Sequence, residues 1–111
     1  MSGGAGPQGD PPAAAPAPSA TPVLVRTLAI RNLRGLHARA AAKFVALAER
    51  FDAAVDVVKD GQSVSARSIM GLMMLGAGQG SAIELRAEGW DAKEALDALG
   101  ALVEAGFNEH E

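Results

Sequence analysis

The chain has 111 residues, a formal net charge of −3 and no cysteine, and 49% of its residues are hydrophobic. This length predicts one small globular domain with a single core, and the absence of cysteine excludes a disulfide framework and a thiolate metal site. Nothing in the composition indicates an oxidising compartment. A nucleic-acid binder is usually basic overall, and this chain is not. We therefore predict a cytoplasmic protein that needs no metal or other cofactor and binds no nucleic acid.

The first 22 residues differ in composition from the remainder. All 6 prolines of the chain fall there, in an Ala/Gly background with one charged residue, Asp10. Such a segment buries too little apolar surface to offset its chain entropy, so we predict a disordered tail over 1–22 and a folded domain over 23–111. The sequence shows neither a signal-peptide pattern nor about 20 consecutive apolar residues, which predicts no membrane insertion.

The folded domain begins with a strand pattern and then a helix pattern. Over 23–30 we expect Leu28 and Ile30 to face inward and Arg26 to face solvent. Gly35 then permits a tight or left-handed bend. An amphipathic helix follows the bend, because apolar residues recur at helical spacing; they are Ala41, Phe44, Val45, Ala48 and Phe51.

Two further strands are predicted to form a hairpin. Residues 52–59 alternate and contain several β-branched residues. The dipeptide Asp60-Gly61 is a strong two-residue turn signal, so a third strand over 62–65 must return beside the second.

A short, nearly all-apolar helix over 69–75 is predicted next, with Ser68 as its N-cap. One short helix cannot bury so many apolar side chains. We expect Met74 to fill the core and three other residues to form an exposed docking patch, because methionine suits adaptable binding surfaces. These three residues are Ile69, Met70 and Met73.

The remaining pattern predicts a turn, a strand and a helix. The glycine-dense segment 76–80 follows a helix and lacks a Lys-Ser/Thr ending, so we interpret it as a helix C-cap and turn, not as a nucleotide loop. Residues 83–88 alternate between apolar and charged side chains, which predicts a half-buried strand. Asp91, followed by Glu94, is expected to cap a last helix that ends at Gly106. Its predicted inward residues are Ala92, Leu96, Leu99 and Val103. The order of elements favours an α+β two-layer sandwich with the helices on one face of one sheet.

His37 lies where the first strand pattern stops and the first helix pattern begins. A helix N-terminus carries unpaired N–H groups and about half a positive charge, so it can receive a phosphate at the imidazole. Arg39 adds a planar cation that can hold phosphate oxygens bidentately. Imidazole titrates near neutral pH, which leaves a nucleophilic neutral ring available.

Charge is unevenly distributed along the folded domain. Between residues 23 and 50 six basic residues face only Glu49, whereas acidic residues dominate from Glu84 onward. We therefore predict a basic face around His37 and an acidic far side. The basic residues are Arg26, Arg31, Arg34, Arg39, Lys43 and Arg50.

Two motifs resemble those of a known family. Gly35-Leu36-His37-Ala38-Arg39-Ala40-Ala41 is similar to the active-site signature of the HPr phosphocarriers of the bacterial phosphoenolpyruvate-dependent phosphotransferase system, which reads approximately G-[LIM]-H-[AT]-R-P-A. Ser-Ile-Met-Gly-Leu-Met-Met-Leu-Gly, beginning at Ser68, is a second match. Ala40 replaces the usual proline, which is expected to loosen the amides that meet the phosphate, although alanine has the best helix propensity.

The resemblance covers about residues 23–108 and implies both a fold and a function. It implies a βαββαβα chain with a four-stranded antiparallel sheet in the order 1-4-2-3. It implies that His37 accepts a phosphoryl group on Nδ1 from phospho-enzyme I and passes it to an enzyme IIA, with Arg39 stabilising the phosphate. It also implies regulatory phosphorylation of Ser68 by an HPr serine kinase/phosphorylase. Partners would dock on Ala38, Ala42, Ile69, Met70 and Met73, and the chain would be a monomeric carrier and not a stand-alone enzyme.

Two alternative functions would also use a histidine that accepts phosphate. A phosphatase with a phosphohistidine intermediate needs a second histidine or a carboxylate as general acid. The sequence argues against it, because the other histidine is His110, next to the last residue, and no carboxylate lies close in sequence to His37. A regulatory phosphorelay protein of the nitrogen-related phosphotransferase branch has the same fold and histidine. The segments 32–35 and 106–109 look like that branch, whereas the Ser68 region looks like HPr proteins under serine-kinase control, so this alternative stays open.

Overall fold

The computed structural model describes residues 22–109. The predicted disordered tail therefore lies, apart from Pro22, outside the described residues. None of the helices in the described part is long and apolar enough to cross a membrane. The elements in chain order are β1 (Leu24–Ala29), α1 (Ala38–Ala48), β2 (Ala54–Lys59), β3 (Gln62–Ser65), α2 (Ile69–Met74), β4 (Ala82–Glu88) and α3 (Ala92–Glu104), followed by a single 3-10 turn, Gly106–Asn108.

The four strands form one antiparallel sheet in the order β1-β4-β2-β3. The register places Leu28 opposite Ile83 and Val57 opposite Leu85, so the inward side chains of three neighbouring strands meet on one face. The three helices pack on that face. This arrangement confirms the predicted α+β sandwich, its βαββαβα order and the strand order 1-4-2-3.

The core lies between the sheet and the apolar faces of α1 and α3. Phe44 on α1 and Leu99 on α3 are almost completely buried, as are Val57 and Leu85 of the central strands. Each such side chain contributes about 1.5–3 kcal/mol by leaving water. The predicted inward residues of α3 are all buried. Phe51, which the helical spacing included, lies beyond the end of α1 and packs against the core from the following turn.

The β2–β3 hairpin turns at the predicted dipeptide. Asp60 and Gly61 both have positive φ, 50° and 81°, as the two-residue type I′ turn requires. This turn has the twist that suits antiparallel strands, so the local sequence specifies the pairing of β2 with β3.

Arg26 does not point freely into solvent as predicted. Side chains alternate along β1, and Arg26 is two residues before the buried Leu28. Its side chain therefore lies on the helix side of the sheet. Its guanidinium donates to the carbonyl of Leu96 (3.0 Å) and to Asp97 (2.7 Å) on α3. The aliphatic stem covers apolar surface while the charge stays at the edge of the core.

Asp91 precedes α3 but makes no side-chain cap hydrogen bond, so the predicted capping box is wrong. Its carboxylate accepts instead from the backbone N–H groups of Asp52 (2.9 Å) and Ala53 (2.8 Å). The buried side chain thus ties the chain after α1 to the start of α3, because otherwise two backbone donors would lack partners.

Met74 was predicted to fill the core, and this prediction is wrong, because its side chain is 72% exposed. The helix α2 has only six residues and buries a single residue, Leu72. Met74 is two positions further on, about 200° around the helix, and it therefore points away from the sheet.

Candidate functional site

A buried turn precedes His37 and fixes where it lies. The side chain of Asn32 is fully buried and donates to the carbonyl of Gly35 (2.8 Å). The next residue, Leu36, donates its N–H to the carbonyl of Ala77 (2.9 Å), in the loop after α2. Gly35 has φ +66°, and a Cβ there would lie 2.4 Å from the Ala77 oxygen. The predicted bend at Gly35 is therefore confirmed, and close backbone packing requires glycine there.

Replacement of Gly35 by alanine is expected to destabilise the domain by more than about 3 kcal/mol, because left-handed strain adds to a backbone clash. Gly76→Ala is the matched control, since Gly76 has φ +64° but open space around its Cβ position. It should cost only about 1–2 kcal/mol. Denaturant unfolding of both variants measures the difference, and equal losses would show that the contact with Ala77 is unimportant.

His37 occupies the N-cap position of α1, as predicted. Its backbone is extended (φ −75°, ψ 176°), and its side chain makes no cap hydrogen bond. The first N–H groups of this helix of 11 residues are consequently left without a side-chain cap, which suits an incoming anion. Ala40 is the third helical residue, and the helix begins at Ala38 even though the usual proline of the family is absent.

A cavity of about 460 Å³ opens beside the imidazole. Its lining includes three cations, Arg34, Arg39 and Lys43, so the predicted basic surroundings of His37 are present. The other three predicted basic residues do not belong to them. Arg26 pairs with Asp97 and Arg31 pairs with Glu104, both acidic partners being on α3, and Arg50 lies beyond the opposite end of α1. The remaining lining residues are Leu33, Asn108, Glu109 and His37 itself.

Glu109 also lies in this site, although no pattern in the sequence indicated it. Its Oε2 contacts Nε2 of His37, and its Oε1 accepts from the amide of Asn32 (3.1 Å). Burial raises the pKa of Glu109, but hydrogen bonds from His37 and Asn32, with the charges of His37 and Arg34, lower the pKa below its ordinary value of 4.5. The carboxylate is therefore ionised near neutral pH. No carboxylate lies close to His37 in sequence, but the fold brings the carboxylate of Glu109 to the imidazole from 72 residues away.

The chain reaches the site through a sharp reversal after α3. Gly106, Phe107 and Asn108 all have positive φ, of 62°, 57° and 59°. Phe107 is fully buried, and its carbonyl accepts from Lys43 (2.7 Å). The sequence indicated only that Gly106 ends the helix. No reliable local sequence pattern predicts two successive left-handed residues that are not glycine.

Ser68 is the N-cap of α2, as predicted. Its Oγ accepts from the N–H of Gly71 at 2.9 Å. The predicted docking residues Ile69, Met70 and Met73 are 41%, 72% and 41% exposed. The other two, Ala38 and Ala42, are exposed on α1, which packs against α2. The accessibility required for docking is therefore present, while the docking role remains a prediction.

Within residues 22–109, no group of His, Asp and Glu side chains is arranged to hold a metal ion.

An open-faced βαββαβα sandwich with a histidine at the start of its first helix defines a class of small phosphocarrier proteins. The family described as the phosphorylation site of the PTS HPr component matches residues 24–105. The chain belongs to this HPr family of phosphotransferase-system phosphocarriers.

Individual relatives give the same result. The chain is 49% identical to phosphocarrier protein NPr of Shewanella violacea over 86 residues, covering 78% of this chain and 94% of that one. It is 48% identical to phosphocarrier protein HPr of Cupriavidus necator over 89 residues, which is 80% of this chain and all of the other. A crystal structure of HPr from Thermoanaerobacter tengcongensis superposes with a TM-score of 0.76 at 46% identity, covering 79% of this chain and 99% of that one. Another structure from that organism is described as an HPr dimer.

Proposed function

We propose that this protein carries a phosphoryl group on His37, taking it from phospho-enzyme I and passing it to an enzyme IIA. The observation that supports this function best is the position of the imidazole at an uncapped helix N-terminus, beside a cavity lined by Arg34, Arg39 and Lys43. These groups supply N–H donors and positive charge where phosphate oxygens would lie. We also propose a cytoplasmic location, where both partners of such a carrier would be available.

The contacts of the imidazole favour Nδ1 as the acceptor atom. Nε2 is occupied by the carboxylate of Glu109. The lone pair of Nδ1 attacks phosphorus, an N–P bond forms, and the bond between phosphorus and the donor atom breaks. The same step in reverse delivers the group to the acceptor. The side chain of Arg39 and the helix amides stabilise the negative charge on the phosphate oxygens in the transition state.

Incubation with phosphoenolpyruvate and enzyme I tests the proposal directly. We expect one acid-labile phosphate per chain, and a peptide map should place it on His37. Addition of an enzyme IIA should then remove the label from the chain and transfer it to the acceptor. A chain that stays unlabelled under conditions in which a known HPr is labelled would contradict the proposed function.

Arg39→Lys is expected to slow phosphoryl transfer about tenfold, because lysine keeps the charge but loses the planar fork that binds two oxygens at once. Single-turnover kinetics with phospho-enzyme I measures this effect. Arg50→Lys is the matched control, since Arg50 is exposed beyond the opposite end of α1. Both variants should keep the melting temperature of the unmodified protein. Equal rates for Arg39→Lys and the unmodified chain would show that guanidinium geometry is irrelevant.

A role restricted to the nitrogen-related branch is a second candidate. It is supported by the NPr relative, which is 49% identical to this chain. An HPr relative is almost equally similar at 48% identity, so identity does not separate the two candidates. A competition experiment separates the two functions, with sugar-specific and nitrogen-branch enzyme IIA offered together to the phosphorylated chain. Exclusive transfer to the nitrogen-branch acceptor would favour the second candidate.

We further propose that enzyme I and enzyme IIA contact the exposed residues Ala38, Ala42, Ile69, Met70 and Met73 beside the site. The two methionines among them provide flexible apolar surface that adapts to more than one partner. The chain would act as a monomer, so that this surface remains free between encounters. We propose as well that an HPr serine kinase/phosphorylase modifies Ser68 and thereby regulates this surface.

A further inference from the structure

Glu109 is 72 residues from His37 in sequence and lies beyond the residues 24–105 that match the family. We propose that Glu109 is a positioning residue for phosphoryl transfer. Its carboxylate holds the imidazole by Nε2, keeps a proton on that atom and leaves Nδ1 to accept the phosphoryl group. This inference rests on the proposed function and adds a residue to its machinery.

The carboxylate is itself held in a fixed position. One oxygen contacts Nε2 of His37, and the other accepts from the amide of Asn32 at 3.1 Å. The same amide donates to the carbonyl of Gly35 at 2.8 Å, in the turn that leads into His37. Asn32 therefore connects the carboxylate to the backbone that places the imidazole. The side chain of Glu109 is only 12% exposed, so water screens its charge weakly.

The backbone around Glu109 supports a positional role. Phe107 and Asn108 adopt left-handed conformations that residues with a Cβ rarely take. The fully buried Phe107 ring anchors this segment, and Lys43 on α1 holds its carbonyl. Strained backbone of this kind persists where the surrounding contacts require it, and it is concentrated at functional sites. Here it brings a carboxylate from the end of the chain to the imidazole.

The contact suits the charge changes of the reaction. When Nδ1 bonds to phosphorus, the proton stays on Nε2 and the ring becomes cationic. The adjacent carboxylate balances this charge without taking the proton. When the phosphoryl group leaves for an acceptor, the N–P bond breaks and the ring is neutral again. Carboxylates that orient a catalytic histidine by one nitrogen, and so free the other, act by the same principle.

The test combines a spectrum of the unphosphorylated chain with transfer kinetics. In the unmodified protein, at a pH where the ring is neutral, NMR should show a protected Nε2 proton of His37, because its hydrogen bond slows exchange with water. Glu109→Ala should lose this signal and slow the phosphorylation step by on the order of tenfold to a hundredfold, as expected when a reacting group is misplaced. The KM for phospho-enzyme I should not change.

Two further variants separate charge from position. Glu109→Gln keeps an oxygen that can accept a hydrogen bond but removes the charge, and its rate should lie between those of alanine and glutamate. Glu104→Gln is the matched control, because Glu104 on α3 forms an exposed ion pair with Arg31. This variant should behave as the unmodified chain.

Absence of a protected Nε2 proton in the unmodified chain, or an unchanged rate in Glu109→Ala, would overturn the positioning role. A failure of the proposed function is recognised separately. In that case the unmodified chain would accept no phosphate at all, whatever the spectrum of His37 shows.

Discussion

Replacement of His37 by alanine is expected to abolish phosphorylation of the chain by phosphoenolpyruvate and enzyme I completely. No other side chain in the described site offers a neutral nitrogen nucleophile, since the remaining nitrogen groups in its lining are the cations Arg34, Arg39 and Lys43 and the amide of Asn108. Label incorporation, followed by hydrolysis in acid, measures the loss. The fold should be retained, because the His37 side chain makes no helix cap and its site is open to a cavity.

The matched control for this loss is His110→Ala, which removes the other histidine of the chain. This variant should be labelled at the same rate and to the same extent as the unmodified protein. Acid-labile label that persists in His37→Ala and disappears in the double variant would assign the phosphate to His110 and contradict the proposed site.

Local sequence was sufficient for the parts of the fold that depend on neighbouring residues. The helical spacing of Phe44, Val45 and Ala48 predicted α1, and Asp60-Gly61 predicted the hairpin, because both patterns encode which side of an element is buried or how a turn bends. His37 could be placed at a helix start for the same reason. The strand order was implied only by family resemblance, since alternation shows which side of a strand is buried but not which strand lies beside it.

The error at Asp91 and the omission of Glu109 both concern contacts between distant parts of the chain. Asp91 looked like a cap in sequence, yet two unpaired N–H groups near the end of α1 compete for its carboxylate. Glu109 had no recognisable spacing to His37, because their contact depends on three successive positive φ angles after α3. The partner of a polar side chain is decided by tertiary packing, which one-dimensional patterns do not contain.

Phosphorylation of Ser68 is expected to weaken the binding of enzyme I and to slow the phosphorylation of His37. The cap role of Ser68 is established by the hydrogen bond from Gly71 to its Oγ, and this role alone is worth about 1 kcal/mol. A regulatory role is favoured by the neighbouring exposed residues, since Ile69, Met70 and Met73 follow directly on α2. A charge added at Ser68 would therefore stand at the edge of the proposed docking surface.

The added charge should be tolerated within the domain. A phosphate of about −1.5 to −2 charges at the start of a helix meets the positive end of the helix dipole. Arg67 is the nearest basic residue in sequence, but its guanidinium already donates to the carbonyl of Phe51 at 2.6 Å. Arg67 could neutralise the phosphate only if that contact broke. Much of the added negative charge would therefore act on a docking partner.

The effect on a partner can be estimated from Coulomb's law. A partner that recognises the basic surroundings of His37 is expected to present carboxylates. A dianion about 7 Å from one of them costs about 1 kcal/mol in water-like dielectric and about 5 kcal/mol at an effective dielectric near 20. Even the lower figure weakens binding several-fold, and the higher one would nearly abolish it.

Three forms of the protein test this expectation. Ser68→Ala should bind enzyme I normally and lose only about 1 kcal/mol of stability, because it removes the cap without adding charge. Ser68→Asp keeps a capping oxygen and adds one charge, so it should weaken enzyme I binding and slow phosphorylation of His37 at nearly unchanged stability. Genuine phosphoserine carries more negative charge than aspartate, so it should weaken binding of enzyme I further than Ser68→Asp does. Calorimetric titration with enzyme I measures all three, and an unchanged affinity of the phosphoserine form would leave Ser68 with its cap role alone.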